Sequence, residues 1–221
     1  MELTISMPGG LLLELSCRPN DFHTHAVSIL QSALMDGWPP PGAINIKLFV
    51  EHAVGLYVNA AFNLLIGWAN AGKNTPALPL EQAFFTGGAN GIRGWRLRTL
   101  GPGNVSSLDA NAISGVGDVR IDVQYEWRIA LDGQLQLACF TDAGNVWLHG
   151  ESASEESAWR WRNWNSWAWS GGLGLRYDLE FFLIRLDGGI RVHDPSQLVG
   201  SRWIGSQGVR GALHFGLGLP F

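Results

Sequence analysis

At 221 residues the chain is long enough for one large β domain or two small ones. Charged residues make up 15% of it, against about 25% in ordinary soluble domains, and the net charge of −4 excludes a basic field that would attract nucleic acid. Two cysteines, Cys17 and Cys139, have neither a metal-ligand spacing nor the density of a disulfide framework, and no run of about 18 apolar residues marks a helical membrane span.

The first segment, Leu3 to Leu15, places Leu3, Ile5, Leu11, Leu13 and Leu15 on one face and Glu2, Thr4, Ser6 and Glu14 on the other. This period of two predicts a strand over about 2–16, interrupted by Pro8 and Gly9-Gly10. Residues 17–42 read as a loop containing Pro39, Pro40 and Pro41. Two alternating segments follow, about 43–52 and 55–69, with a link near Val54-Gly55 short enough for a hairpin. Residues 70–115 form a long segment rich in glycine, and a loop of that length inside a compact domain is expected to be functional.

The clearest strand comes next, over about 117–130. Val119, Ile121, Val123, Tyr125, Trp127 and Ile129 alternate with Asp118, Arg120, Asp122, Gln124, Glu126 and Arg128. Six successive hydrophilic side chains cannot enter a dry core without partners; a water-filled lumen accommodates them. Leu131-Asp132-Gly133 marks a tight turn, and a return strand spans about 134–148. Further strands are expected over about 167–179, 181–192 and 209–221. The last carries Leu213, Phe215, Leu217, Leu219 and Phe221 on one face. In water such a terminal strand would aggregate, whereas in a bilayer it is a good solution.

These eight segments are joined alternately by short and long connections, the pattern of an antiparallel transmembrane β-barrel with turns on one side of the membrane and loops on the other. The tryptophans Trp159, Trp161, Trp164, Trp167 and Trp169 gather at one strand end, as an interfacial aromatic girdle would. His23 and His25 lack a third ligand, and no Ser-His-Asp or paired-carboxylate arrangement is legible, so no metal, no cofactor and no catalytic residue is expected. The N-terminus has no basic region followed by an apolar core and does not read as a signal peptide. The expectation is a fragment, or one part of a longer or split protein.

Three stretches resemble the outer-membrane insertase superfamily that includes BamA and TamA. FFTGGANGIRGWRLRTLGPG, from Phe84 to Gly103, is similar to the lumen-inserted loop with its Arg-Gly-aromatic tip, here Ile92, Arg93, Gly94 and Trp95. CFTDAGNVW, from Cys139 to Trp147, resembles the family's Phe-x-Asp-x-Gly-x-x-Trp strand. The paired ending GLGLRYDLEFFLIRLDGG and ALHFGLGLPF resembles the closing strands and their C-terminal sorting signal, with the last motif over Phe215, Gly216, Leu217, Gly218, Leu219 and Phe221. The wording of the long loop looks most like Bacteroidetes-type TamA relatives.

The resemblance implies that residues 1–221 are the C-terminal eight strands of a sixteen-stranded outer-membrane barrel, with the N-terminal periplasmic repeats and first strands absent. It implies that Arg93 is held by inner-wall carboxylates, for which Asp122 and Asp142 are the matching positions. Position 122 departs from the pattern, being Asp where the longer Glu is expected. The implied partners are outer-membrane lipids, unfolded outer-membrane client proteins and the missing barrel half with its periplasmic repeats. The implied function is insertion of barrel proteins, or export of surface proteins, without chemical catalysis. A two-partner-secretion-type pore, or the barrel anchor of a surface-displayed enzyme, is the alternative. A soluble β-sandwich is disfavoured by the outward apolar faces.

Overall fold

The computed structural model describes residues 2–6, 12–16, 42–54, 57–70, 78, 80, 83–105, 115–150, 153–160, 162–206 and 208–220. Among the described residues, nine strands form one antiparallel sheet: β1 (Glu2–Ser6), β2 (Leu12–Ser16), β3 (Gly42–Ala53), β4 (Val58–Asn70), β5 (Val119–Asp132), β6 (Leu135–Trp147), β7 (Ala168–Asp178), β8 (Leu183–His193) and β9 (Gly211–Leu217). The sheet order is β2-β1-β3-β4-β5-β6-β7-β8-β9, so β2 and β9 are its edges. From β3 onward it is a plain meander, each strand pairing with the next. No helix among the described residues is long and apolar enough to cross a membrane.

Two boundaries differ from the sequence reading. The single strand expected over about 2–16 is two, paired antiparallel from Glu2↔Ser16 to Ser6↔Leu12. Pro8 and Gly9-Gly10 lie between the two strands, where proline cannot donate a ladder bond. The last strand is shorter than about 209–221, ending at Leu217. Gly218 takes a positive φ of 79°, and Pro220, which lacks an N–H, follows it. Phe221 lies outside the described residues, as do Cys17, His23 and His25.

Residues 83–105 lie on one side of the sheet, and that side is called the inner face here. The alternation in β5 holds at the level of burial. Asp122, Gln124, Glu126 and Arg128 are buried on the inner face, while Trp127, between them, is 47% exposed. In β7 to β9 the inner positions Arg176, Arg185 and Asp187 are buried, while Leu173, Leu175, Leu186, Ile190, Leu213, Phe215 and Leu217 are exposed on the outer face. This inverts the usual preference of charged residues for solvent and aliphatic ones for the interior. Such a sheet suits lipid on its outer side.

The outer face is apolar and largely exposed from β7 to β9, and it is covered at the loop end of β4 to β6. There Val119, Ile121 and Trp147 form a cluster joined by Leu64, Ile66, Trp68, Trp159 and Trp167. Trp147 is completely covered, with Trp159 edge-on at 4.6 Å and Trp167 tilted at 5.6 Å between ring centroids. Its indole Nε1 donates to Ser166 Oγ at 2.9 Å. The tryptophan-rich segment is therefore a packed cap as well as a surface feature, with Trp164 and Trp169 remaining exposed.

Candidate functional site

The loop from Phe84 to Gly103 is fastened to the inner face from one end to the other. Phe84 pairs with Gly117 through two backbone bonds, and its ring fills the space over Gly67 on β4. Thr86 Oγ1 donates to Asp122 on β5 at 2.8 Å. Deeper along the wall, Gln124 Nε2 donates to the Gly91 carbonyl at 2.8 Å, and Asn63 Nδ2 supports Gln124 Oε1 at 2.8 Å. At the far end the Gly103 N–H reaches the Val146 carbonyl, and Asn145 Nδ2 donates to the Gly103 and Ser166 carbonyls. Ile92, Trp95 and Leu100 bury their side chains together with Ala168 of β7.

Arg93 stands at the centre and is completely buried. Its Nε and Nη2 grip Asp142 of β6 at 2.9 and 2.7 Å, and its backbone N–H adds a third bond to the same carboxylate at 2.9 Å. Nη1 donates to Glu126 of β5 at 2.5 Å and lies 3.9 Å from Asp187 of β8. The guanidinium also stacks over the Phe140 ring, 3.6 Å from its centroid. A planar fork matched to a carboxylate in this way fixes orientation as well as charge.

The surrounding charges balance. Glu126 also receives Arg128 at 2.9 Å and Arg176 at 3.0 Å, Asp187 receives Arg176 at 2.5 Å and Arg185 at 3.3 Å, and Arg128 reaches Glu51 at 3.1 Å. Four guanidiniums thus meet four carboxylates. Burying ions is costly, and compensation needs good geometry on every partner. Arg185 additionally holds the loop itself, donating to the Ala89 carbonyl at 2.8 Å and to Asn90 Oδ1.

Asp142 is therefore against Arg93, but Asp122 is not. Asp122 belongs to Arg120 and Thr86 instead, and Glu126 supplies the second strong contact. Asp122 and Glu126 sit two residues to either side of Gln124, which pairs with Asp142, so register alone leaves both adjacent to Asp142. The depth of the loop decides: Thr86 near its start reaches Asp122, and the tip passes on to Glu126. Glu126 and Arg176 carried a signal in the sequence, since both occupy hydrophilic positions of alternating strands.

Gly94 and Trp95 complete the tip. A Cβ on Gly94 would lie 2.7 Å from Ser170 Cβ on β7, so only glycine lets the tip settle on the wall. Trp95 is 1% exposed, and the Arg191 guanidinium lies over its ring, 4.9 Å from the centroid. Arg191 Nε donates to the Gly94 carbonyl at 3.1 Å. From β9, His214 Nε2 donates to the Arg93 carbonyl at 3.0 Å. The loop tip thus touches β5 through β9. Phe215 and Leu217 lie on the outer face of β9, Gly216 lies on the inner face beneath Arg185, and Gly218 and Leu219 follow the strand.

No cluster of three histidine, cysteine or acidic side chains suited to a metal occurs among the described residues. The arrangement is a fastening of the loop to the wall through paired charges, with Arg176 Nε and Arg185 Nε buried and left without a hydrogen-bond partner.

A search of curated proteins finds no match. Among solved structures, CdiB from Acinetobacter baumannii is similar at 17% identity with a TM-score of 0.44, over 69% of this chain and 24% of that one. This chain spans about a quarter of that protein's length. The Omp85 superfamily domain matches residues 43–221, all but the first 42 residues, and on that match the chain belongs to the Omp85 superfamily.

Proposed function

We propose that this chain forms the C-terminal strands of an outer-membrane β-barrel that inserts client barrel proteins into the bacterial outer membrane. Membership of the Omp85 superfamily supports the broader role, transport or insertion at that membrane. The observation that carries the narrower reading is the loop tip locked by Arg93 to a buried inner wall, behind a sheet whose outer side chains are apolar. A loop so held leaves the interior of the barrel shaped and rigid, and leaves β9 as the element able to exchange partners.

β9 is suited to exchange. It is an edge strand of seven residues, the shortest in the meander, and Gly211 and Gly216 give it little side chain to pack. An unpaired strand edge in hydrocarbon costs several kcal/mol per polar group, so it captures any strand that offers hydrogen bonds. The first strands of the same barrel close this edge at rest, and an unfolded client strand replaces them during insertion. The remaining strands, the periplasmic repeats and the sorting role of the ending through Phe221 belong to this proposal. So does the membrane placement of residues 1–221.

The test is depletion of the full-length protein in its own cells, with outer-membrane barrels quantified by their heat-modifiable gel mobility. Insertion predicts that many barrels fall together and that the Arg93→Ala variant restores them only in part. Loss of one secreted protein with barrels unchanged would assign the chain to a two-partner-secretion pore instead.

A further inference from the structure

The inner positions of β9 are Ala212, His214 and Gly216, all half-buried, and they alternate with the exposed Leu213, Phe215 and Leu217. Each stands opposite a β8 residue that touches the loop or the charges holding it. Ala212 pairs with Gly189, and a Cβ on Gly189 would collide with the Arg93 carbonyl, so the tip backbone rests directly on β8 there. Gly216 pairs with Arg185, which donates to the Ala89 carbonyl and to Asn90 Oδ1. A Cβ on Gly216 would lie 2.5 Å from Arg185 Nε, so the guanidinium that grips the loop also lies across β9. His214 pairs with Asp187 and reaches the loop itself, through the 3.0 Å bond to the Arg93 carbonyl.

A carbonyl can only accept, so His214 Nε2 carries the proton of this bond. Among the described residues no other donor reaches the Arg93 carbonyl, and Arg93 is completely buried. If β9 moves off β8, that carbonyl loses its donor and Arg185 loses the backbone it lies across. A buried acceptor left without a donor is costly. Departure of β9 and undocking of the tip are therefore coupled, and coupling between two sites is reciprocal. The ladder that this contact reinforces is short, running only from Ile184↔Leu217 to Ile190↔Gly211.

We propose that the docked loop tip latches β9 to the wall, with His214 as the catch, so that β9 is freed from β8 when the tip comes away. The inference rests on the reading of β9 as the strand that exchanges partners. A strand entering at this edge then has to displace the His214 contact together with the ladder. Conversely, a tip lifted off the wall leaves β9 held by its ladder alone.

The test reads amide hydrogen exchange on the full-length protein in lipid nanodiscs, at two N–H groups that join β8 to β9. These are Arg191, donating to the Arg210 carbonyl at 2.8 Å, and Gly218, donating to the Leu183 carbonyl at 2.7 Å. His214→Leu removes the donor, and His214→Gln keeps an N–H at similar reach. Heat-modifiable mobility checks that each variant folds. His214→Leu is expected to speed exchange at both groups, and at the Gly88 N–H of the loop, by about tenfold, while His214→Gln stays close to the parent. Arg93→Ala, which undocks the tip without touching β9, is expected to speed exchange at Arg191 and Gly218 by a similar factor. Adding His214→Leu to it is expected to change them no further, because the two substitutions break one contact. Unchanged exchange at Arg191 and Gly218 in either single variant, or effects that multiply in the double variant, overturns the latch. Failure of the insertion reading shows separately, as barrels unchanged in depleted cells, and does not alter these exchange rates.

Discussion

Arg93→Ala isolates the fastening of the loop. The substitution removes three side-chain hydrogen bonds to carboxylates, two on Asp142 and one on Glu126, and the stacking on Phe140. It also leaves Asp142 with no guanidinium, since its other hydrogen bonds among the described residues come from the Arg93 N–H and Ser170 Oγ. Removing one partner of a buried ion pair costs about 3–5 kcal/mol. At about 1.4 kcal/mol per tenfold, docking of the tip weakens by roughly two to three and a half orders of magnitude. The sheet ladders are untouched, and Ile92, Trp95 and Leu100 still pack on Ala168, so the loss is local. Amide hydrogen exchange on the full-length protein in lipid nanodiscs reads this directly. The N–H groups of Gly88 and Arg93, bonded to the Trp95 carbonyl and to Asp142, should exchange about 100-fold faster or more, while β5 and β6 keep their protection. Arg93→Lys keeps the charge but loses the fork, and should fall between the two. Loop exchange unchanged in Arg93→Ala would refute the fastening. Equal acceleration in loop and sheet would show that the charges hold the whole wall, not the loop.

Glu126→Gln leaves four guanidiniums against three carboxylates, and should destabilise the fold by about 3 kcal/mol, read as a lower temperature for loss of compact gel mobility. Asp122→Asn, which affects only Arg120 and Thr86, should cost less in the same assay. Gly94→Ala should undock the tip, because the added methyl meets Ser170 Cβ at 2.7 Å, and Ser170→Gly in the same protein should recover part of the protection in hydrogen exchange. Trp147→Ala should cost about 3–5 kcal/mol by emptying the cluster under Trp159 and Trp167, and proteolysis should then cut within residues 153–167 while the loop tip stays protected.

Much of this protein is legible one strand at a time. Asp122, Gln124, Glu126 and Arg128 share a face because successive side chains in a strand point oppositely, a property of the backbone that needs no knowledge of neighbours. The same rule puts Leu213, Phe215 and Leu217 on the outer side of β9. The Arg-Gly-aromatic tip was legible through its resemblance to a family's lumen-inserted loop, and its glycines allow the close approach that a guanidinium needs to reach anions on the wall.

Tertiary structure decided what alternation cannot carry. Asp122 and Glu126 lie four residues apart in β5, about 13 Å along the strand, and both flank Asp142 diagonally. Nothing local distinguishes them, and the choice of Glu126 follows from how far residues 84–93 travel down the wall. His214, 121 residues from Arg93, joins the tip only because the four registers from β5 to β9 bring β9 beneath it. Trp147 sits at an outward position and is nonetheless covered, because Trp159, Ser166 and Trp167 fold back over it. Parity along a strand is set by the chain's own geometry, and the sequence by itself determined it. Pairing between distant segments is set by the summed registers and by where the loops come to rest, and the folded sheet alone decided that.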